Sequence, residues 1–341
     1  MRNCYLSRNY KGVNGAGNKA KTDIEQVMKQ NGYVNVGFPQ TRYTNTILSF
    51  FVTLASVLKA CFSLKKGDRL VLQYPLKKYF TFVCRVAHWK GAKVVTIIHD
   101  LGSFRSKRLT VSQEIHRLCH SDVIIAHSES MKNWLEAQHL QRPVVVLEIF
   151  DYLSDSKASD TLPQENEYKV MFAGVLSPKH NAFLYKLAKL PARVFKIVLY
   201  GSGLDKESLE GAVVEDKGFV TSDELIQTAE GHFGLVWYGP ELEGGHGPLG
   251  EYLQYNAPHK MSLYLRCNCP VIIWDKAALA PFVKKHQLGL CLSSLAELNQ
   301  VLSEMSVDDY CKMKKNVQEI SARLAQGYYV NTALQSAFKF I

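Results

Sequence analysis

The chain has 341 residues, 47% hydrophobic and 21% charged, which is the balance of an ordinary globular protein and too long for one compact core. Its net charge of +10 is concentrated: residues 1–150 hold 22 Lys and Arg against 9 Asp and Glu, whereas the remainder holds 19 against 22. The basic half calls for an anionic partner such as a membrane surface or a phosphorylated substrate. Nucleic acid is set aside, because the basic residues lie in no RNP-like or helix-turn-helix context.

"CYLSR" opens as a strand, "KTDIEQVMKQNGY" reads as a helix and "VNVGF" follows. The start of the chain is too polar for a signal peptide. The apolar segment "TILSFFVTLASVLKACFSL" (46–64) falls short of a membrane span because it carries Lys59 and several hydroxyl residues. It reads as an amphipathic helix that covers a domain core. Lying on a membrane, helped by Lys65, Lys66, Lys77 and Lys78, is the second reading. The expected location is therefore the cytoplasm, peripheral on the inner face of the membrane in that second reading. Strands "DRLVLQYP" (68–75), "KVVTIIHD" (93–100), "DVIIAHS" (122–128) and "PVVVLEIF" (143–150) then alternate with helical segments, the pattern of βαβ units and a parallel sheet. Residues 151–168 are polar and without apolar periodicity, the expected linker. The alternation restarts with "YKVMFAGVL" (168–176), "VFKIVLYGSG" (194–203), "VVEDKGFV" (213–220), "FGLVWYG" (233–239) and "CPVIIWD" (269–275). The expected domains are 1–150 and 169–325, followed by a C-terminal helix at 326–341. That helix is apolar enough to dock on the first domain or to make a homo-oligomeric contact. Eight cysteines show no CxxC and no Cys/His ligand spacing, so no metal site is expected.

Ligands of such sheets bind beyond the carboxyl ends of the strands. Five stretches lie there. "VNGAGNKAKTDIE" (13–25), with Gly15 and Gly17, lets a ligand approach the backbone, although it matches neither GxGxxG nor a P-loop. "IIHDLGSFR" (97–105) places His99 and Asp100 at a strand end, where a carboxylate can act as a general base and Arg105 can steady a negative group. The alternative is that Asp100 only caps the next turn. "FAGVLSPKHNAF" (172–183) offers Lys179 to a phosphate, and the backbone near Phe219 and Val220 offers contacts to a base edge. The Gly- and Glu-rich loop before residue 256 reads as a mobile cover. In "NAPHKMSLYLRCNCPVII" (256–273), Asn256 can cap a helix whose first turn carries His259 and Lys260, the wrong sign for a helix N-terminus unless an anion binds there.

Taken in order, these motifs resemble GT-B glycosyltransferases. The similarity is to the bacterial branch with the glucosyltransferase of streptococcal serine-rich-repeat adhesins and the β-galactofuranosyltransferases. "NxPHK…YLxxxxPVI" is the most specific part. The resemblance implies an α/β fold of two Rossmann-like domains with a cleft between them, a UDP-sugar held mostly by the second domain and an acceptor on the first. It implies that Lys179 and Lys260 meet the diphosphate with backbone support from His259 and Met261. Asn256 would lie near the nucleotide, Phe219 by the uracil, and Gly17 and Asn18 would approach the donor from the first domain. It implies no cofactor and no metal. Counted forward from Glu251, the Glu-x7-Glu spacing of the retaining enzymes falls on His259 and not on a glutamate, which points to inversion with Asp100 as base and His99 in reserve. The acceptor would be a lipid-linked or protein-linked glycan. A UDP-sugar 2-epimerase and a non-catalytic binding partner of the same architecture are the alternatives.

Overall fold

The computed structural model describes residues 1–10, 16–105, 109–159, 162–163 and 167–341, so Gly15 and the side chains of Lys77 and Arg105 lie outside the described part. The chain forms two compact units. Unit 1 comprises Met1–Asp151 and Gln326–Ile341, and unit 2 comprises Tyr152–Ala325.

Unit 1 contains strands β1 (Asn3–Tyr5), β2 (Val34–Asn35), β3 (Arg69–Tyr74), β4 (Lys93–Ile98), β5 (Val123–Ala126) and β6 (Val144–Val146), all parallel in the order 2-1-3-4-5-6. Its helices are α1 (Ala16–Gln30), α2 (Thr46–Ser63), α3 (Phe80–Trp89), α4 (Gly102–Arg105), α5 (Val111–Leu118) and α6 (Glu129–Ala137). The central strands are buried along nearly their whole length, as parallel strands covered by helices on both faces must be.

Unit 2 contains β7 (Tyr168–Val175), β8 (Phe195–Ser202), β9 (Glu215–Asp216), β10 (Phe233–Val236), β11 (Val271–Trp274) and β12 (Gly289–Leu292), parallel in the order 12-11-10-7-8-9. Helices α7 (Pro178–Ala188), α8 (Ser222–Thr228), α9 (Gly247–Tyr252), α10 (His259–Arg266), α11 (Ala280–His286), α12 (Leu298–Glu304) and α13 (Val307–Ala325) complete it. Two Rossmann-like α/β units are thus present. Strand order reverses between β1 and β3 in unit 1 and between β7 and β10 in unit 2, the places where such sheets open a crevice.

Three local expectations are corrected. "PVVVLEIF" pairs only over Val144–Val146 and "VVEDKGFV" only over Glu215–Asp216, because both are edge strands with one neighbour each. The linker begins with buried Asp151, Tyr152 and Leu153 rather than with a solvated segment. Most consequentially, α2 covers the core with only a narrow face of small residues. Only its Ser56, Val57, Ala60 and Cys61 are buried, and its larger side chains face outward. The small inward residues permit close approach: Ser56 Oγ donates to the Ser7 carbonyl (2.9 Å) and accepts the Phe38 N–H (3.0 Å).

The last helix, α14 (Tyr328–Ala337), belongs to unit 1 and buries Tyr329, Val330, Ala333, Leu334 and Ala337 beside β5, β6 and α1. Asp151 anchors it. Its carboxylate accepts the N–H groups of Tyr329 (3.1 Å) and Val330 (2.7 Å), occupying donors that the helix itself leaves unpaired.

Asp151→Ala is expected to lower the free energy of unfolding by about 1–3 kcal/mol and to raise amide exchange along α14 before the sheet. Equal exchange in α14 of both proteins would refute the anchor. Burial holds the Asp151 carboxyl up at about 7 despite those two N–H bonds. The folded chain therefore keeps this proton more tightly than the unfolded chain. The resulting stability is complete below about pH 4 and lost as pH rises to 7, and Asp151→Asn should flatten that slope in denaturant titrations.

Candidate active site

In unit 2 the reversal between β7 and β10 is bridged by α10. Pro258 is extended (φ −66°, ψ 126°) and immediately precedes the helix, which starts at His259 and has no side-chain cap. Asn256 does not cap it; its backbone N–H donates to the Tyr252 carbonyl (3.0 Å). Met261, Ser262, Tyr264 and Leu265 form the buried face. The Tyr264 hydroxyl accepts the Ala173 N–H (2.8 Å) near the end of β7, and its ring occupies the place where any side chain on Gly234 of β10 would stand. One tyrosine thus fixes α10 to both strands that flank the reversal.

That fixing decides where Lys260 goes. Its Nζ lies 3.4 Å from the ring centroid of Phe172 on β7, 5.2 Å from that of Tyr238 just beyond β10, and beside Gly174. Among the described residues it makes no salt bridge, and burial pulls its pKa down to about 7. Two aromatic faces attract an ammonium by about 0.5–2 kcal/mol but do not neutralise it. The uncapped helix N-terminus and the ammonium of Lys260 thus leave positive charge here that no carboxylate among the described residues neutralises.

The other expected residues of unit 2 lie on the same carboxyl side of the sheet. Lys179 is exposed in the first turn of α7, directly after Pro178. The Phe219 ring is exposed and follows Gly218, whose carbonyl accepts the Gly201 N–H (2.8 Å). Gly201 sits so close to the Gly174 carbonyl that no side chain fits there, which keeps the rims of β7 and β8 bare. His259 stacks on Tyr152, with centroids 4.6 Å apart. The Met261 N–H donates to the Pro258 carbonyl (3.0 Å). The loop expected to be a mobile cover is anchored instead. Gly244 and Gly245 pack against the Trp274 indole, the Gly244 N–H reaches the Ser293 carbonyl (3.0 Å), and Trp237 Nε1 donates to the Glu241 carbonyl (3.3 Å).

In unit 1, Gly17 and Asn18 occupy the first turn of α1, Gly17 exposed and Asn18 half-buried. His99 follows β4 and is buried. Its Nε2–H donates to Gln73 Oε1 (2.6 Å) and its ring stacks on Phe150 at 5.3 Å. Gln73 in turn donates to the Tyr10 hydroxyl (3.3 Å), which donates to the Glu25 carboxylate. Ser7 Oγ donates to the same carboxylate (2.6 Å). Burial pushes the Glu25 carboxyl up to about 7. Asp100, the next residue after His99, is half-buried. The turn after it is held by Glu114, wholly buried, which accepts the N–H groups of Gly102 (2.7 Å) and Ser103 (2.8 Å), the Ser103 hydroxyl and the Tyr74 hydroxyl (2.9 Å). Glu114 thus holds the turn that follows Asp100. Among the described residues no group of three His, Cys, Asp or Glu side chains is placed to hold a metal ion.

Sequence reasoning passed over Glu25, Gln73, Glu114, Phe172, Tyr238 and Tyr264. Glu25 had a readable sign: it lies beside Ile24 and close to Val27 and Met28 on the apolar face of α1.

Two domain models match the chain: the N-terminal domain of glucosyltransferase 3-like proteins over residues 3–149 and the C-terminal domain over residues 170–337. The chain is 27% identical to the beta-1,6-galactofuranosyltransferase WbbI of Escherichia coli (strain K12) over 321 residues, covering 94% of this chain and 93% of that protein. It is 26% identical to glucosyltransferase 3 of Streptococcus gordonii over 326 residues, covering 93% and 92%. Among solved structures, the glycosyltransferase SnogD from Streptomyces nogalater aligns over 100% of both chains at 12% identity, with a TM-score of 0.45.

Inorganic pyrophosphate is expected to bind unit 2 more weakly as pH rises above 7, by about tenfold per pH unit, because the free chain loses the Lys260 proton that the complex retains. Calorimetry at several pH values checks this. Lys260→Arg should bind with little pH dependence, and an unchanged slope in that variant would refute the assignment.

Proposed function

The chain belongs to the glucosyltransferase 3-like family and is a glycosyltransferase; from that premise we propose that it moves a hexosyl group, galactofuranose or glucose, from a UDP-sugar to a glycan acceptor. The observation that carries the donor assignment is the ammonium of Lys260, set between aromatic rings at the β7–β10 reversal without a carboxylate partner. A nucleoside diphosphate supplies the missing charge. Lys179 and the opening turn of α10 at His259 add donors on the same side of the sheet, and the exposed Phe219 segment suits the base.

The reaction proposed is a single displacement with inversion. Asp100 takes the proton of the acceptor hydroxyl, whose oxygen forms a bond to the anomeric carbon. On the opposite face the bond from that carbon to the diphosphate breaks, and UDP leaves with the electron pair. Lys260, Lys179 and the helix N-terminus stabilise the charge that gathers on the leaving group, so the step is assigned no metal and no cofactor. His99, held by Gln73 and Phe150, orients the strand end that carries Asp100. Counted back from Glu251, the Glu-x7-Glu spacing falls on Glu243, so the choice of inversion rests on Asp100 and not on a missing glutamate. The acceptor is a lipid-linked or protein-linked glycan.

The test is mass-spectrometric turnover of UDP-glucose, UDP-galactose and UDP-galactofuranose, each with and without GlcNAc-type and galactose-type acceptors. Transfer only in the presence of an acceptor is expected. Conversion of the donor alone would instead indicate an epimerase. Asp100→Asn should reduce kcat by about 10²–10⁴ while keeping the rise in melting temperature that UDP produces, and Lys260→Ala should lose that rise. Full activity in Asp100→Asn would remove the base.

A further inference from the structure

The outward face of α2 is an apolar stripe. Leu48, Phe51, Ala55, Leu58 and Phe62 recur at steps of three and four residues, and all are exposed, Phe51 by 59% and Phe62 by 83%. Ile47, 71% exposed, extends the stripe towards the helix start. Trp89, 84% exposed, ends α3 close by, because the adjacent Lys90 donates from Nζ to the carbonyls of Phe62 (3.0 Å) and Leu64 (3.1 Å). Contiguous exposed apolar surface of this kind marks an interaction site.

The charge around the stripe identifies the partner. Residues 37–98 contain ten Lys and Arg against one acidic residue, Asp68, and Asp68 is already paired with Arg2. Lys59 stands over the Phe38 ring at 4.7 Å and Lys78 over the Phe50 ring at 4.5 Å. Cations seated on aromatic rings at the rim of an apolar face separate into two levels, charge above and hydrocarbon below, as at the boundary between lipid headgroups and acyl chains. A second copy docked through the same face would bring two basic rims together, whereas an anionic bilayer neutralises them. The helix is apolar enough to span a membrane, with a mean hydropathy of 1.7, but its inner face is bonded through Ser56 to the Ser7 carbonyl and the Phe38 N–H. That attachment keeps it on the surface of unit 1.

We propose that this face docks unit 1 on an anionic phospholipid bilayer, with α2 lying in the interface plane. The inference rests on the surface alone and not on the reaction assigned above. Sedimentation of the full chain with vesicles tests it. The chain should pellet with vesicles of phosphatidylcholine and phosphatidylglycerol and stay in solution with phosphatidylcholine alone. Lys59→Gln and Lys78→Gln should each weaken partition about fivefold, and the double variant Phe51→Ser, Phe62→Ser should abolish it without altering the melting curve. The proposal is overturned if the chain ignores the anionic vesicles or if the double variant still pellets. It is equally overturned if light scattering reveals an oligomer that the double variant dissociates, which would assign the face to a second copy.

Discussion

Lys260 is a charge kept where charge is expensive. Burial draws its ammonium to the edge of deprotonation, and only the faces of Phe172 and Tyr238 hold it. Much of unit 2 follows from keeping that cation in place. The strand order reverses beside it, Tyr264 wedges its helix across both flanking strands, and bare glycines at the ends of β7 and β8 leave room in front of it. A carboxylate at the same spot would have been more stabilising and would have closed the site to any anion. On the proposed reading, the fold gives up that stabilisation in exchange for an affinity for anions.

Unit 1 applies the opposite device at its own strand reversal. There a carboxyl group, Glu25, is enclosed by hydroxyl donors, and burial raises it towards neutrality, while Gln73 joins its network to His99. One unit therefore carries an acid displaced upward and the other a base displaced downward, both to about 7. The cause is the same in both cases: burial strips the charged form of its water, which raises a carboxyl and lowers an ammonium.

Much of this was legible in the residues. Short β-branched runs such as "KVVTII" and "VIIA" between helical segments fix two parallel sheets, because a strand buried on both faces needs no alternation. The basic first turn of α10, without an acidic side chain, is legible in the residues themselves. What periodicity cannot reveal is which face of an apolar helix turns inward. For α2 the small residues Ser56 and Ala60 decide it, since they alone allow the helix to approach the chain near Gly37, and their signal is drowned by the large side chains around them. The aromatic partners of Lys260 were equally hidden: Phe172 and Tyr238 come from strands 66 positions apart, and only the sheet brings them together.

The docking of α14 on Asp151 has a bearing on biosynthesis. A ribosome releases residues 1–151 well before residues 326–341, yet unit 1 is built from both. Until the final helix emerges, the surfaces of β5 and β6 that receive it are uncovered and the Asp151 carboxylate lacks its two donors. Unit 2, contained in one uninterrupted stretch, can finish first. The order of completion is therefore the reverse of the order of translation, and the basic half of the molecule becomes whole only when the last turn of the chain is in place.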